Sequence, residues 1–102
     1  MTDQPNDRRH LADPAVPADA TDLDAWTAWE DGGHARMFDT TWRRNAGPMR
    51  VTISGIQYAD GRVRRWIMAR PFRFGDDGEM GADQARALAA VLHAAADAIE
   101  AL

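Results

Sequence analysis

The sequence predicts an α+β domain in which a three-stranded antiparallel β-meander packs against a C-terminal α-helix. Two patterns predict this fold. Alternating apolar residues flank an Asp60-Gly61 turn, and apolar residues recur every three or four positions after Ala82. The first pattern is typical of strands with one buried face, and the second is typical of an amphipathic helix. A short N-terminal helix and a disordered tail over residues 1–20 complete the prediction, so that residues 21–102 form one domain.

The N-terminal tail is rich in proline, aspartate and alanine and has few large apolar side chains. Such a segment buries too little apolar surface to offset the entropy lost on ordering, which predicts disorder. A short helix is expected from Thr21 to Asp31, because Thr21 can cap it and Trp26 and Trp29 recur at three-residue spacing. Gly32-Gly33 would end this helix.

The first strand of the meander is expected from His34 to Arg44. Strand alternation places Met37 and Phe38 on opposite faces, with Thr40 and Trp42 on the side of Phe38. A turn cluster at residues 45–48 then leads into the main hairpin.

The main hairpin spans Met49 to Phe74, and its turn allows two registers. A two-residue loop at Asp60-Gly61 pairs Ala59 with Arg62, whereas a type I turn closed by a bulge at Gly61 pairs Tyr58 with Arg62. A slip of one residue moves every side chain to the other face, so the apolar pattern selects the register. The bulged register is predicted because it collects five apolar residues on one face: Val51, Ile53, Val63, Ile67 and Ala69.

The opposite face of the hairpin is rich in arginine and aromatic side chains. Antiparallel sheets often leave such a face in water, and that is the simplest interpretation. Tryptophan, tyrosine and arginine are also the residues enriched at the centres of protein interfaces. The sequence therefore predicts a partner-binding surface made of Tyr58, Arg62, Arg64, Trp66 and Arg70.

The C-terminal helix is expected from about Ala82 to Ala101, with Gly81 as its N-cap and Gln84 at its third position. Its apolar stripe repeats with a spacing of three and four residues, and its first role is to cover the apolar face of the sheet. Alanine-rich stripes also let helices approach closely, so the same stripe predicts a homodimer. The seam of that dimer would comprise Leu88, Leu92, Ala95 and Ile99.

The formal net charge of −4 conceals a segregation of charge along the chain. Residues 1–31 hold eight acids and two arginines, residues 32–75 hold nine arginines and two acids, and residues 76–102 hold six acids and one arginine. The predicted sheet is therefore basic and both flanks are acidic, which favours docking to a complementary surface. The chain contains no lysine, and all 12 of its Lys and Arg residues are arginine. This bias indicates a GC-rich genome.

No catalytic or metal-binding signature is present in the sequence. There is no cysteine, the three histidines have no ligand spacing, and the single serine, Ser54, is not part of a G-x-S-x-G motif. We therefore expect no enzyme activity, no cofactor and no metal. No apolar run approaches ~20 residues and the N-terminus lacks the apolar segment of a secretory signal, so a cytoplasmic protein is expected.

The function predicted from these features is that of a small interaction or regulatory protein that binds a protein partner. The alternative is a module for single-stranded nucleic acid, in which Tyr58 and Trp66 stack on bases between arginines. The sequence pI of about 5.2 is far below that of typical nucleic-acid-binding domains, which ranks this alternative second.

The segment ISGIQYADGRV and the later segment MGADQARALAAVLHAAADAIE resemble small uncharacterised actinobacterial and actinobacteriophage proteins. In that group a strand with glutamine precedes a DG hairpin, and an alanine-rich helix follows. Met80-Gly81 stands here where Leu-Thr is usual in the group, so the capping hydroxyl is missing. The resemblance covers roughly the last half of the chain and implies the fold and a bacterial or phage source.

Overall fold

A computed structural model describes residues 13–29, 32–73 and 75–102, which form an antiparallel sheet of five strands packed against one C-terminal helix. The chain path is β1 Ala20–Leu23, β2 Thr27–Ala28, β3 His34–Ala46, β4 Met49–Tyr58, β5 Val63–Pro71 and α1 Ala82–Glu100. The strand order is β1-β3-β4-β5, and β2 pairs with the same strand, β3, as β1 does. The predicted α+β class is confirmed, whereas the predicted count of three strands is wrong.

The hairpin of β4 and β5 adopts the bulged register predicted from the apolar pattern. The Tyr58 N–H donates to the Arg62 carbonyl at 2.8 Å, and the Gly61 N–H donates to the Tyr58 carbonyl at 2.9 Å. Gly61 has φ +95°, a conformation that a residue with a Cβ rarely adopts. From Gln57 opposite Val63 the pairing then continues without a shift to the end of β5.

The predicted N-terminal helix is wrong, because the chain there pairs with the edge of β3. Both β1 and β2 run antiparallel to β3, and the Asp24 N–H between them donates to the Met37 carbonyl at 2.9 Å. A helix of this length is marginal in isolation, whereas a strand edge offers a row of unpaired backbone groups. The end of the predicted helix, Glu30 and Asp31, lies outside the described residues, as does Phe74 of the predicted hairpin.

Residues 13–19, here called the N-terminal strap, lie against the sheet, whereas their composition predicts that they belong to a disordered tail. The Gln57 side-chain amide donates to the Ala15 carbonyl at 2.7 Å, and Arg65 forms an ion pair with Asp19 at 2.6 Å. Polar anchors of this kind do not depend on apolar burial, which was the basis of the prediction. The rest of the predicted tail, residues 1–12, lies outside the described residues.

The core lies between α1 and the middle of the sheet. Val51, Ile53 and Ala95 are buried at its centre. Further side chains from the sheet and from α1 pack around them: Trp42, Ile67, Leu88, Val91, Leu92, Ala98 and Ile99. The four residues of the predicted dimer seam thus all belong to the core of their own chain, in which Ala95 is buried and Leu88, Leu92 and Ile99 are partly buried.

The start of α1 is secured in the predicted way. The Gly81 N–H donates to the Gln84 side-chain oxygen at 3.0 Å, which satisfies one donor at the helix N-terminus. Among the described helical residues, no segment is long and apolar enough to cross a membrane.

Candidate functional site on the open face of the sheet

The two faces of the sheet differ in what covers them. Helix α1 packs on the face of Val51, Ile53 and Ile67, here called the inner face. The opposite face, here called the outer face, has no helix over it within the described residues. Because side chains alternate along a strand, the even-numbered residues of β4 and β5 point to the outer face. The five residues predicted to bind a partner all lie on this face.

Four of the five predicted residues, Arg62, Arg64, Trp66 and Arg70, occupy alternate positions at the turn and along β5. Tyr58 lies opposite Arg62, as the hairpin hydrogen bonds show. At about 3.3 Å per residue, the Cα atoms of Arg62 and Arg70 are roughly 26 Å apart. The structure therefore spreads the predicted residues along one strand rather than gathering them in a pocket.

Arginine side chains cover both aromatic rings of this set. The guanidinium carbon of Arg62 lies 4.7 Å from the ring centre of Tyr58, and that of Arg64 lies 5.8 Å from the ring centre of Trp66. Both distances are within the range of a cation–π contact. Tyr58 and Trp66 are half-buried, so each ring offers part of its surface and a guanidinium at its side.

A basic groove of about 330 Å³ lies at the other end of the outer face. Arg70 lines it together with Arg43 and Arg50, which are not among the five residues predicted from the sequence. The alternation of side chains along a strand could have placed both on the outer face. Arg43 is an odd-numbered residue of β3, like Met37, and Arg50 is an even-numbered residue of β4, like Tyr58. The irregularity between Asp39 and Arg43 does not alter this parity.

The arginines of the groove repel one another. Arg50 lies directly opposite Arg70 in the β4–β5 pairing, an arrangement that destabilises a sheet. Among the described residues, no carboxylate forms an ion pair with Arg43, Arg50 or Arg70. The Arg50 guanidinium instead lies 4.4 Å from the ring centre of Phe72. The positive charge of this groove is therefore left for solvent or a ligand.

Carboxylates gather on the opposite rim of the same groove, at the β1–β3 side. Asp22 lies directly opposite Asp39, a second cross-strand pair of like charges. The Ser54 hydroxyl donates to the Asp39 carboxylate at 3.0 Å, and Asp24 lies beside them in the neighbouring cleft. The outer face is thus polarised, with carboxylates along β1 and β3 and guanidinium groups concentrated along β5 and at the end of β4.

The inner face has a polar cluster of its own beneath the N-terminal strap. Gln57 is 2% exposed, and its side-chain oxygen accepts a hydrogen bond from Arg36 at 2.8 Å. Arg65 donates two hydrogen bonds to Asp19, at 2.6 and 2.9 Å. These bonds hold the pKa of the Asp19 carboxyl below its usual range and outweigh the opposing effect of partial burial. The cluster fastens the strap to the sheet.

Replacing Asp19 by asparagine should therefore destabilise the fold at neutral pH. Each side chain of the ion pair is 18% exposed, so solvent screens the pair only weakly. We expect Asp19→Asn to lower the free energy of unfolding by about 2 kcal/mol at pH 7, the usual worth of hydrogen bonds to charged groups. Urea denaturation of both proteins measures the difference.

The pH dependence of this loss has a defined sign. A carboxyl whose pKa is lowered by folding contributes stability above its unfolded pKa of about 4, and the contribution is lost as pH falls through the folded pKa. The deficit of Asp19→Asn should shrink at pH 3. Asp13→Asn, at an exposed position at the start of the same strap, is the matched control and should change stability little. A deficit of equal size at both pH values would contradict the ion pair as its cause.

Among the described residues, no three histidine, aspartate or glutamate side chains are grouped so that they could hold a metal ion. Comparisons of the chain with protein-family models, with curated proteins and with solved structures find no match. The resemblance in the hairpin and the C-terminal helix therefore stays a prediction.

Proposed function

We propose that the protein is a small non-enzymatic interaction or regulatory protein whose outer face docks a partner protein. The proposal rests on the polarisation of that face. Arg50 and Arg70 oppose one another, Asp22 and Asp39 do the same, and no ion pair between described residues joins the two pairs. A sheet selected for stability alone would pair opposite charges across its strands. A partner of complementary charge would relieve both repulsions on binding.

The centre of the outer face offers apolar contact between the two charged groups. Trp66 and Met68 are half-buried, and Met37 is 40% exposed. A partly apolar centre with a charged rim is the usual composition of a protein interface. Within this proposal Trp66 supplies contact area, while Arg64 and Arg70 supply charge complementarity.

Single-stranded nucleic acid is the second candidate for the same face, and two features count against it. Carboxylates of Asp22, Asp24 and Asp39 would repel a phosphate backbone that crosses the face. The rings of Tyr58 and Trp66, which would stack on bases, are already in contact with Arg62 and Arg64. A cytoplasmic site of action, in a GC-rich bacterium or its phage, belongs to the proposal.

A double substitution on the face tests the proposed function. We expect Trp66→Ala with Arg64→Glu to abolish capture of the partner, because it removes apolar contact and reverses one charge at the centre of the face. The immobilised protein is incubated with actinobacterial lysate, with and without nuclease, and the captured proteins are compared by mass spectrometry. The far-UV spectrum of the variant should remain that of the folded protein, since both side chains point away from the core.

The control variant Arg86→Glu makes the same charge reversal on the exposed surface of α1, where Asp83 is the one ion-pair partner of Arg86 among the described residues. A protein captured by the wild type and by this control, but not by the double variant, supports the proposal. Equal capture by all three proteins would place the interaction elsewhere. Capture that disappears with nuclease and falls steeply with salt would instead favour nucleic acid.

A further inference from the structure

The two edges of the sheet are not alike. On one side β1 and β2 pair with β3, and the β1–β3 ladder has a register shift between Ala20 and Asp22. On the other side β5 is the last strand, and no strand pairs with its far edge within the part of the chain that the structure describes. This edge spans Val63–Pro71 and is free of bulges.

The free edge presents a regular row of backbone groups. Arg62 is hydrogen-bonded to β4 through Tyr58, and in an antiparallel ladder such pairs alternate with pairs that are not bonded. The backbone groups of even-numbered β5 residues therefore point to β4. Those of Val63, Arg65, Ile67 and Ala69 point to the open edge, where they can bond to an added strand.

Most proteins shield such an edge with a bulge, a short strand or a covering segment. Within the described residues, β5 has no bulge and no segment covers its free edge. Its arginines and Pro71 at its end are what opposes pairing with another strand. Ile67 of β5 packs against the core on the inner face, and this packing holds the strand in place. The edge is thus long, straight and supported, which suits it to binding by strand addition.

We propose that an extended segment of the partner protein adds to β5 as a further strand and carries two carboxylates on its outer-face side, with apolar side chains between them. This inference rests on the proposed function and specifies the partner of the same face. The added strand would place side chains beside Arg64, Trp66, Met68 and Arg70 on the outer face. Carboxylates fit beside the two arginines, and apolar side chains fit beside Trp66 and Met68.

A second copy of β5 brings arginines and no carboxylate to this edge. Antiparallel pairing of two β5 strands centred on Trp66 puts Arg62 opposite Arg70, and pairing centred on Ile67 puts Arg64 opposite Arg70. Either arrangement adds a repulsion to the face that already holds Arg50 opposite Arg70. Charge complementarity therefore selects an acidic strand.

Hydrogen exchange of the full chain with a synthetic peptide tests this inference. The probe is the heptapeptide Glu-Thr-Val-Thr-Val-Thr-Glu with blocked ends, and the control peptide has lysine in place of both glutamates. We expect the acidic peptide to slow exchange of the amides of Arg65, Ile67 and Ala69 by about tenfold or more. The amides of Trp66 and Met68, already bonded to β4, should change little, and the lysine peptide should have no effect.

The variant Ala69→Pro removes one outward N–H without removing a donor from the β4–β5 ladder. It should abolish the effect of the acidic peptide and weaken capture of the partner from lysate, whereas Ala69→Val, which keeps the N–H, should do neither. Undiminished capture by Ala69→Pro would overturn strand addition and leave the proposed face intact. Strand addition would also be overturned if the acidic peptide had no effect on the exchange of these amides. It would likewise be overturned if their exchange slowed with rising protein concentration alone, because a second copy of the chain would then be the occupant.

Discussion

Replacing Gly55 by alanine should lower the free energy of unfolding by about 3 kcal/mol, near the upper end of the usual cost of overpacking. Gly55 lies opposite Phe38, whose ring is 2% exposed and fills the space that a Cβ would take. A Cβ on Gly55 would stand 2.4 Å from the end of that ring and 2.9 Å from the Arg64 carbonyl oxygen. The ring is enclosed and the carbonyl belongs to the β5 ladder, so neither can move freely. Thermal or urea unfolding gives the difference.

A second substitution identifies the cause of this loss. Phe38→Leu replaces the ring by a shorter aliphatic side chain and should itself lower the free energy of unfolding. In the double variant, however, it should reduce the loss of stability that Gly55→Ala causes. The two changes should therefore be non-additive by 0.5 kcal/mol or more, roughly the coupling seen between residues in contact. Strict additivity would mean that the close approach of Phe38 to Gly55 does not cause the destabilisation.

The hairpin and α1 could be predicted because short-range signals determine them. Asp60-Gly61 specifies a tight turn, and only one register then collects Val51, Ile53, Val63, Ile67 and Ala69 on one face. The stripe of α1 has a single apolar surface to cover. In these segments local pattern and tertiary packing favour the same structure, which makes the sequence informative.

The N-terminal segment could not be predicted in the same way, because long-range contacts decide its structure. The spacing of Trp26 and Trp29 is compatible with a helix turn, but β1 and β2 gain hydrogen bonds from an edge of β3 that no local pattern reveals. The strap likewise depends on Gln57 and Arg65, more than 40 residues away in sequence. In both segments, long-range contacts override the local structural preference of the sequence.

The candidate site was predicted in part for a related reason. The residues along β5 follow directly from the hairpin register, whereas the groove also involves β3, whose pairing with β4 shifts between Asp39 and Arg43. Arg43 and Arg50 reach the same groove only through this pairing. The opposition of Asp22 and Asp39 depends in addition on β1, which the sequence did not predict.

A larger side chain at Ala95 should separate α1 from the sheet. Ala95 is fully buried, and it packs against Val51 and Ile53, which are 0% and 4% exposed. Leucine in place of Ala95 has no space at this contact, so we expect Ala95→Leu to lower the free energy of unfolding by about 2 kcal/mol or more. Ala94→Leu, one position away on the exposed side of α1, should change it by no more than about 0.5 kcal/mol.

The same pair of variants distinguishes the two roles predicted for the stripe of α1. If Leu88, Leu92, Ala95 and Ile99 act only within the monomer, Ala95→Leu lowers stability and leaves the molecular mass in sedimentation equilibrium unchanged. A dimer seam at this stripe would instead make the substitution alter the association constant. Unchanged unfolding together with altered association would contradict the packing of α1 on its own sheet, because the added volume would then be accommodated between two chains rather than within one.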